Sequence, residues 1–282
     1  MAKVAFLGTG LLGSGMVEGM LRKGDAVTVW NRTEAKARAL EAVGARVAST
    51  PADAVRGAER VHMTFSDDAV VDRVIGEFLS SLDKTALLID HTTTAAQGTV
   101  ARYARMREAG ARFLHAPVFM SPQMCRDCVG LILCSAPQAL YDQASHALQQ
   151  MTGEVWYLGD DPVRAAAYKL FGNSMLFVIT AGITDVFAMA RNLGISPADA
   201  LQVFTKFQPG GVIKVRGEKM ARADFTASFE LTMARKDIRL MLEAAGNQPT
   251  AVLASIARQM DDAIGKGHGN QDLGAIAAEV VR

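Results

Sequence analysis

Short apolar runs rich in valine, isoleucine and phenylalanine alternate with helical stretches along the first half of the chain. They predict six strands, at residues 4–7, 27–30, 46–48, 60–64, 86–90 and 112–117. Candidate helices between them cover residues 12–23, 33–43 and 95–109. Strands that alternate with helices at this spacing are joined by right-handed crossovers, so the pattern predicts a mainly parallel sheet. Two further runs, 129–134 and 155–158, flank a helical stretch near 137–150 and can extend that sheet.

The pattern changes after Asp160, because apolar residues then recur at intervals of three and four positions. The stretch from Arg164 to Asn192 has no proline and is predicted to form one long helix that ends near Gly194. A new helix is expected to start at Ser196-Pro197. We therefore predict two domains, an α/β domain over residues 1–161 and an all-helical domain over residues 162–282.

Composition excludes several classes of function. The 282 residues include 30 Lys and Arg against 29 Asp and Glu, so the net charge of +1 gives no electrostatic reason to expect a nucleic acid or an anionic membrane as partner. We expect no membrane span, because no apolar run approaches the 18 or more residues that a span needs, and the N-terminus enters a glycine turn where a signal peptide needs a longer apolar stretch and a cleavage site. A cytoplasmic protein is expected.

Cys125, Cys128 and Cys134 are too few for a disulfide framework and fit a reducing compartment. Cys125 and Cys128 form a C-x-x-C, but no second cysteine pair or histidine cluster completes a zinc set. A packing or loop role is favoured over a metal or redox role, and no metal site is predicted.

A glycine-rich turn follows the first predicted strand and opens the first predicted helix. It reads Gly8-Thr9-Gly10-Leu11-Leu12-Gly13. Gly8 fits a tight turn, Gly10 lets a pyrophosphate approach the backbone, and Gly13 lets helix and strand pack closely, while the helix N-terminus offers free N–H groups. The motif predicts dinucleotide binding by a Rossmann-type domain, with a merely structural tight turn as the alternative.

The second strand ends in Trp30-Asn31-Arg32-Thr33, where an NAD enzyme is expected to carry an acidic residue for the ribose 2′-hydroxyl. Arg32 can pair with a 2′-phosphate instead, and Asn31 and Thr33 can donate hydrogen bonds, so NADP is favoured over NAD. The competing interpretation makes Arg32 a solvated residue before a helix that Thr33 caps.

With these residues, the chain resembles the β-hydroxyacid dehydrogenase family, which includes 3-hydroxyisobutyrate dehydrogenases and semialdehyde reductases. The resemblance covers almost the whole chain. It rests on the run from Gly8 to Met16, Asp90-His91-Thr92-Thr93, His115-Ala116-Pro117-Val118, Lys169 with Gly172-Asn173, Phe229 with Lys236-Asp237, and the tail from Gly267 to Asp272. It implies a parallel Rossmann-type sheet, a long linking helix and an all-α C-terminal domain like that of 6-phosphogluconate dehydrogenase.

The resemblance makes Lys169 the general acid, which protonates the oxygen as hydride reaches an aldehyde carbon. Hydride transfer leaves a localised negative oxygen, and an ammonium both stabilises that charge and delivers the proton. Lys169 and Asn173 are spaced i, i+4, so both are predicted to project from one face of the long helix and to converge on one substrate, which places Asn173 in the catalytic and substrate-binding set. A surface lysine on an amphipathic helix is the alternative.

Further cofactor contacts are implied at Thr92, Thr93 and Lys236, with Ser66-Asp67 expected near the cofactor because it follows the fourth strand. Capping of the next helix is the alternative for the threonine pair. A solvated charge pair with Asp237 is the alternative for Lys236.

The substrate loop departs from the family, which carries Ser-Gly-Gly where this chain has Phe119-Met120-Ser121. Phenylalanine and methionine cannot donate a hydrogen bond to a carboxylate, so a more apolar pocket is expected, or one that relies on Ser121, Gln123 and backbone N–H groups. His115 replaces the family aspartate and is interpreted as structural.

Three functions remain open from the sequence. The leading one is an NADPH-linked reductase of an aldehyde or semialdehyde to a hydroxyacid, with Lys169 as acid. An imine reductase on a related scaffold fits Phe119-Met120 but not the retained lysine, and a cofactor-binding interaction module without catalysis is the third. A homodimer or homotetramer is expected from the resemblance, and the substrate is a small molecule.

Overall fold

The computed structural model describes residues 2–281. They divide into two compact units, one that ends at Asn173 and one that begins at Ser174. The division falls inside the long helix, whereas the sequence places the domain boundary at the start of that helix; the boundary at residue 161 stays a prediction.

A six-stranded parallel sheet forms the centre of the first unit. Its strands are β1 (Lys3–Leu7), β2 (Ala26–Trp30), β3 (Arg46–Val47), β4 (Arg60–Met63), β5 (Leu87–Asp90) and β6 (Arg112–His115). The strand order is β3-β2-β1-β4-β5-β6, and every pairing is parallel. The order reverses at β1, so the crevice beside the carboxyl end of β1 is the place where open α/β sheets bind ligands. The predicted parallel Rossmann-type sheet is confirmed.

Helices cover both faces of this sheet, since its central strands are apolar and buried on both sides. They are α1 (Leu11–Arg22), α2 (Glu34–Arg38), α3 (Pro51–Val55), α4 (Asp68–Phe78), α5 (Ala96–Glu108), α6 (Pro122–Asp127) and α7 (Gln138–Met151). The core has two halves, one around Phe6 and Ile89 and the other around Leu7 and Phe78. Both halves support the same strand ends, which fixes the loops that follow them.

A second, three-stranded sheet corrects one expectation. Strands β7 (Val118–Phe119), β8 (Leu131–Cys134) and β9 (Glu154–Tyr157) pair with one another and do not extend the main sheet. Pro117 follows β6 and has no N–H to continue a ladder, and β7 then runs antiparallel to β8. A bridge between His115, the last residue of β6, and Ser135, which follows β8, links the two sheets.

The rest of the chain is helical, as predicted. Its helices are α8 (Pro162–Asn192), α9 (Pro197–Leu201), α10 (Gly211–Ala221), α11 (Leu231–Ala245) and α12 (Leu253–Ala263). The predicted start at Ser196 is confirmed, because its hydroxyl accepts a hydrogen bond from the backbone N–H of Asp199 at 3.1 Å. Leu231, Ile238 and Met260 pack together as the core of the second unit.

Two buried carboxylates hold the second unit together. Asp185 of α8 accepts hydrogen bonds from the backbone N–H groups of Ala251, Val252 and Leu253 at the start of α12. Asp272, in the tail motif, accepts from Ser228 and pairs with Arg216 at 2.9 Å. These hydrogen bonds and the ion pair hold the pKa of Asp272 well below its usual range. The tail motif therefore has a structural role in this unit.

Helix α8 is more apolar than the sequence pattern suggested. An 18-residue window in it has a mean hydropathy of 1.5, and only 6 % of that window is buried, so by length and composition this helix is able to cross a membrane. A single helix of this kind is weak evidence for a membrane span. The exposed apolar side chains of this helix do need a contact that removes them from water.

Candidate dinucleotide and proton-donor site

The glycine turn after β1 cannot accept side chains at two positions. Gly8 has φ of +95°, and a Cβ there would lie 2.1 Å from the carbonyl oxygen of Thr64. A Cβ on Gly13 would lie 2.0 Å from the carbonyl oxygen of Gly8. Gly10 differs, because none of the described atoms lies within 4 Å of its Cβ position. Gly8 and Gly13 therefore build the turn, and Gly10 leaves its outer side open to a ligand.

The start of α1 is suited to an anion. Gly10 is its N-cap and has no side chain to occupy the free N–H groups, and the described first turn contains no acidic residue. Those N–H groups and the positive end of the helix dipole favour a phosphate group. Thr9 is buried beside this turn, and among residues 2–281 its hydroxyl has no hydrogen-bond partner. A polar ligand bound at this turn can supply the hydrogen bond that the buried Thr9 hydroxyl lacks.

Asn31 joins the turn to the end of β2. Its side-chain oxygen accepts from the backbone N–H of Thr9 at 3.0 Å, and its amide donates to the carbonyl oxygen of Thr33 at 3.0 Å. The Asn31 side chain thus joins the glycine turn to the end of β2, two segments that are both predicted to bind the cofactor.

A cavity of about 380 Å³ lies beside this turn. Nine of the predicted cofactor residues line it: Gly8, Gly10, Leu11, Leu12, Gly13, Asn31, Arg32, Thr33 and Ser66. Lys36 and Arg73 also line it, and no carboxylate is among the described lining residues. Three cations therefore meet at the end of β2, although one of them, Arg73, also pairs with Glu77. Sequence reasoning missed Lys36, one turn into the helix after Thr33, and Arg73, which only the packing of α4 brings there.

The loops after β4 and β5 are cross-linked at the same edge of the sheet. The hydroxyl of Thr92 accepts from the backbone N–H of Phe65 at 3.0 Å, and the N–H of His91 donates to the carbonyl oxygen of Met63 at 2.8 Å. Thr92 is buried, whereas Thr93 is exposed. Thr92 thus has a demonstrated structural contact, and Thr93 is the member of the pair with a side chain free to meet a ligand.

Asp67 caps α4 by accepting from the backbone N–H of Val70 at 3.0 Å, and it also accepts from the Ser66 hydroxyl at 2.7 Å. The Ser66 hydrogen bond is the main reason why the pKa of Asp67 lies below its usual value. Ser66 lines the cavity, whereas Asp67 acts on the helix.

A fully buried guanidinium fixes the position of these loops. Arg102 of α5 pairs with Asp68 at 2.9 Å and with Asp72 at 2.7 Å, and its third nitrogen lies 3.9 Å from Asp90 at the end of β5. The carboxylates of Asp68, Asp72 and Asp90 raise the pKa of Arg102 against the opposing effect of burial. Arg102 therefore ties α4 and β5 to α5, and with them the loops that carry Ser66 and Thr92.

Two buried histidines contact each other near the carboxyl ends of β4 and β5. His62 of β4 and His91 after β5 approach at 2.9 Å between Nδ1 and Nε2. The Nδ1 of His91 lies 2.7 Å from the carbonyl oxygen of Ala116, which can only accept, so this nitrogen carries the proton. The Nε2 of His91 is then an acceptor for the Nδ1–H of His62. Both rings are neutral in this arrangement.

Burial enforces the neutral form. It lowers the pKa of His91 to about 4 and that of His62 well below its ordinary value. His115 is buried next to Thr92 and Thr94, and burial lowers its pKa as well. His115 accordingly has the structural role that the sequence predicted.

Lys169 and Asn173 lie on one face of α8, as the spacing predicted. The Lys169 ammonium donates to the Asn173 side-chain oxygen at 2.9 Å and lies 4.1 Å from the centre of the Phe119 ring. Only 9 % of the lysine is exposed, and burial lowers its pKa. Lys169 is therefore not the solvated lysine of an amphipathic surface, which was the alternative.

The other predicted substrate residues face different surroundings. Met120 packs against the apolar core, and the Ser121 hydroxyl caps α6 by accepting from the backbone N–H of Met124 at 3.2 Å. Phe119 is the member of the loop that contacts Lys169. Their role in substrate binding stays a prediction.

The cysteine pair packs against α1. A Cβ on Gly19 would lie 2.9 Å from the Cys128 sulfur, and Cys125 is buried with its pKa raised to about 11. Within residues 2–281, no group of three or more acidic, histidine or cysteine residues is arranged to hold a metal ion. The contacts of this pair are those of a packing role.

Lys236 lies on α11 in the second unit. Its ammonium pairs with Asp237 at 2.9 Å, and 49 % of its side chain is exposed. The charge pair that the sequence offered as an alternative is present, and the contact with a cofactor ribose stays a prediction.

Comparison with protein families gives two matches that together cover nearly the whole chain. Residues 3–159 match the NAD-binding domain of 6-phosphogluconate dehydrogenase. Residues 164–280 match the NAD-binding domain of NADP-dependent 3-hydroxyisobutyrate dehydrogenase.

Among curated proteins, the human cytokine-like nuclear factor N-PAC is 30 % identical over 281 residues, which is 97 % of this chain and 50 % of that protein. The chain therefore spans about half the length of this relative. Glyoxylate/succinic semialdehyde reductase 2 of Arabidopsis thaliana, a chloroplastic protein, is 25 % identical over 97 % of this chain and 78 % of its own length.

Among solved structures, the imine reductase from Myxococcus stipitatus in complex with NADP+ has a TM-score of 0.91 at 21 % identity, over 99 % of both chains. A reductive aminase from Aspergillus terreus in complex with NADPH and ethyl levulinate has a TM-score of 0.89 at 22 % identity over 99 % of both chains. At these identities the likeness establishes a shared fold.

The neutral histidine pair makes stability depend on pH. Unfolding releases His91 from a folded pKa of about 4 to its ordinary value of 6.5, so its contribution is complete above pH 6.5 and declines as the pH falls towards 4. This difference corresponds to about 3 kcal/mol of unfolding free energy. Burial raises the pKa of Asp90, so this carboxyl adds a pH dependence of the unfolding free energy that has the opposite sign. That contribution is present in every variant and does not affect the comparison between them. In urea titrations at pH 7.5 and 4.5, we expect His91→Asn to lower the stability at pH 7.5 and to flatten its pH dependence.

The exposed His146 offers a matched control, because His146→Gln should keep the full dependence on pH. Equal pH dependence in His91→Asn and the unsubstituted protein would contradict the assignment of a neutral pair.

Proposed function

Since the chain belongs to the β-hydroxyacid dehydrogenase family of NAD(P)-dependent oxidoreductases, we propose that it is an NADPH-dependent reductase that converts a small aldehyde or semialdehyde into a hydroxyacid. The observation that carries the proposal is the buried Lys169 ammonium beside Asn173. A lysine removed from water, with its pKa lowered by burial, suits proton transfer better than a solvated lysine does.

The chain contributes the proton and its placement. The reduced nicotinamide dinucleotide, when bound, supplies the hydride that reaches the carbonyl carbon. Lys169 donates an N–H hydrogen bond to the carbonyl oxygen and transfers that proton as negative charge develops on the oxygen. Asn173 holds the ammonium through its side-chain oxygen and limits the positions that the nitrogen can take. In the oxidative direction the same nitrogen takes the proton back.

The residues around the cavity fit a dinucleotide. The start of α1, with Gly10 open and the Thr9 hydroxyl unsatisfied, suits the pyrophosphate. Arg32, Lys36 and Arg73 suit the 2′-phosphate of NADP, and a ribose 2′-hydroxyl would find no carboxylate among the described lining residues. We assign NADPH as the preferred cofactor on this ground.

Imine reduction is the second candidate, and the Phe119 ring favours it. An aromatic face beside the proton donor gives an apolar wall where a carboxylate-binding loop is expected. Lys169 can protonate nitrogen as well as oxygen, so the two reactions differ in the substrate that the pocket accepts. The third candidate, an interaction module without catalysis, predicts no turnover of either substrate class.

A second copy of the chain is the partner that the exposed apolar surface suits. Leu176, Phe177, Val178 and Ile179 of α8 are each more than half exposed. Consecutive residues of a helix point in successive directions, so these side chains expose apolar area on several sides of α8. Exposed apolar area of this extent is unfavourable in water, and association is one way to cover it. A homodimer or homotetramer is therefore our proposal for the assembly.

Lys169→Ala should lower kcat for aldehyde reduction by about 10²- to 10⁴-fold, because the proton donor is lost. Binding of NADPH, followed by its fluorescence, should stay within about twofold, since the substitution leaves the glycine turn intact. The assay follows NADPH oxidation with glyoxylate, succinic semialdehyde and cyclic imines as separate substrates.

Lys84→Ala is the control, because that exposed lysine precedes β5 and so lies at the opposite edge of the sheet. Turnover that survives Lys169→Ala, or turnover confined to imines, would rule out the leading proposal.

Arg32→Ala should weaken NADPH binding by about 10- to 100-fold, the loss expected for one charge-assisted contact with a phosphate. NADH binding should change little, because NADH has no 2′-phosphate. Dissociation constants from fluorescence titration test both cofactors. Arg38→Ala serves as the control, since Arg38 pairs with Glu34 on α2 and is not part of the described cavity lining. An equal loss for NADH and NADPH would contradict the assignment.

The 30.1 kDa chain should sediment at micromolar concentration with the mass of a dimer or a tetramer. Replacement of both Leu176 and Phe177 by glutamine should weaken association by about 100-fold or more, because two exposed apolar side chains lose their buried contacts. Arg258→Gln, on the exposed side of α12, should leave the mass unchanged. A monomer in the unsubstituted protein would exclude this assembly.

A further inference from the structure

The ring of Phe119 is held in a fixed place by its strand and by packing. Phe119 pairs with Leu131 across β7 and β8, so the ladder determines the direction of its side chain. The ring packs against a small apolar cluster formed by Leu133, Leu158 and Ala165. It is therefore a rigid wall and not a mobile loop side chain.

Gly172 of α8 provides the space that the ring occupies. A Cβ at this position would lie 2.3 Å from the ring Cζ and 2.7 Å from Cε1 of Phe119. Glycine inside a helix costs about 1 kcal/mol relative to alanine. The helix thus gives up stability at the one turn where the ring approaches it, next to Lys169 and Asn173.

The ring face meets the lysine charge. The Lys169 nitrogen lies 4.1 Å from the ring centre, well inside the range in which a cation is attracted to the negative face of an aromatic ring. Burial acts in the other direction, because a desolvated ammonium loses its proton more readily. Asn173 offers a neutral oxygen that accepts from the ammonium, so this oxygen and the ring face are both placed to favour the charged form.

We propose that Phe119 is a positioning residue for Lys169, whose ring face holds the ammonium over a fixed point and keeps it protonated in its buried setting. The inference rests on the proposed role of Lys169 as proton donor. A reductase needs its acid charged before the hydride arrives, and a lysine buried without compensation would be deprotonated in a larger fraction of the molecules. Phe119, which stands where the family carries a serine, thus acts on the proton donor and not on the substrate carboxylate.

The test replaces Phe119 by phenylalanine with one, three or five ring fluorines, which reduce and finally reverse the negative character of the ring face while nearly preserving its shape. The proton affinity of Lys169 is measured on the full chain by competitive acetylation of amines across a pH series, followed by peptide mass spectrometry. We expect the pKa of Lys169 to fall stepwise with fluorine number, by about half a unit to one unit in total. Lys84 in the same digest is the internal reference, and the same replacement at the exposed Phe207 is the matched control.

A pKa of Lys169 that stays constant or rises across the series would overturn the proposal, because the ring would then act only by excluding water. The labelling uses neither cofactor nor substrate, so it is independent of turnover. If the pKa of Lys169 falls stepwise but Lys169→Ala retains full turnover, the effect of Phe119 on the ammonium is confirmed and the proposed role of Lys169 as proton donor is wrong. When the enzyme is active, the same series should lower kcat mainly on the alkaline side of the pH profile and leave NADPH binding unchanged.

Discussion

Burial of the Arg102 charge is the constraint on which the ligand-binding edge of the first unit depends. A guanidinium with no exposed surface has lost its hydration, and it is stable only because carboxylates of α4 and β5 surround it. Removal of Asp72 would leave the buried Nε–H group of this guanidinium without its hydrogen-bond partner. The same ion pairs set the distance between the loops that begin at Phe65 and His91, so the geometry of the candidate cofactor site follows from a contact that no ligand touches.

The sequence was sufficient for features whose cause is local. Alternating strands and helices follow from apolar periodicity, and the glycine turn follows from its position between a strand and a helix. The steric reason found for Gly8 and Gly13, a carbonyl oxygen about 2 Å from each missing Cβ, is the reason that the motif implies. The hydrogen bond between Lys169 and Asn173 also follows from spacing alone, because residues four apart on a helix are neighbours.

Features that depend on distant partners could not be derived in this way. Arg102 and the pairing of His62 with His91 join segments about 30 residues apart, and Arg73 shares a cavity with Arg32, which is still farther away along the chain. Nothing in the local pattern marks any of these. The small second sheet was missed because a short apolar run does not reveal its partner, and Pro117 was included at the end of a strand that stops before it. Phe119 was interpreted by what it lacks, a hydrogen-bond donor, whereas its ring face is the group that the structure uses. Chemistry that a substitution adds is harder to infer than chemistry that it removes.

The net charge of the chain is a second property from which the ligand of the cavity could not be inferred. A net charge of +1 over 282 residues gives no hint of an anionic ligand, yet Arg32, Lys36 and Arg73 line one cavity with no carboxylate among its described residues. Since exposed charges separated by more than about 8 Å are largely screened at physiological salt, the charges that line the cavity decide what binds there and the net charge of the chain does not. The helix N-terminus adds a positive end to the same cavity. The two anionic parts of the proposed NADPH ligand, its pyrophosphate and its 2′-phosphate, therefore each have a local counterpart on a chain that is nearly neutral as a whole.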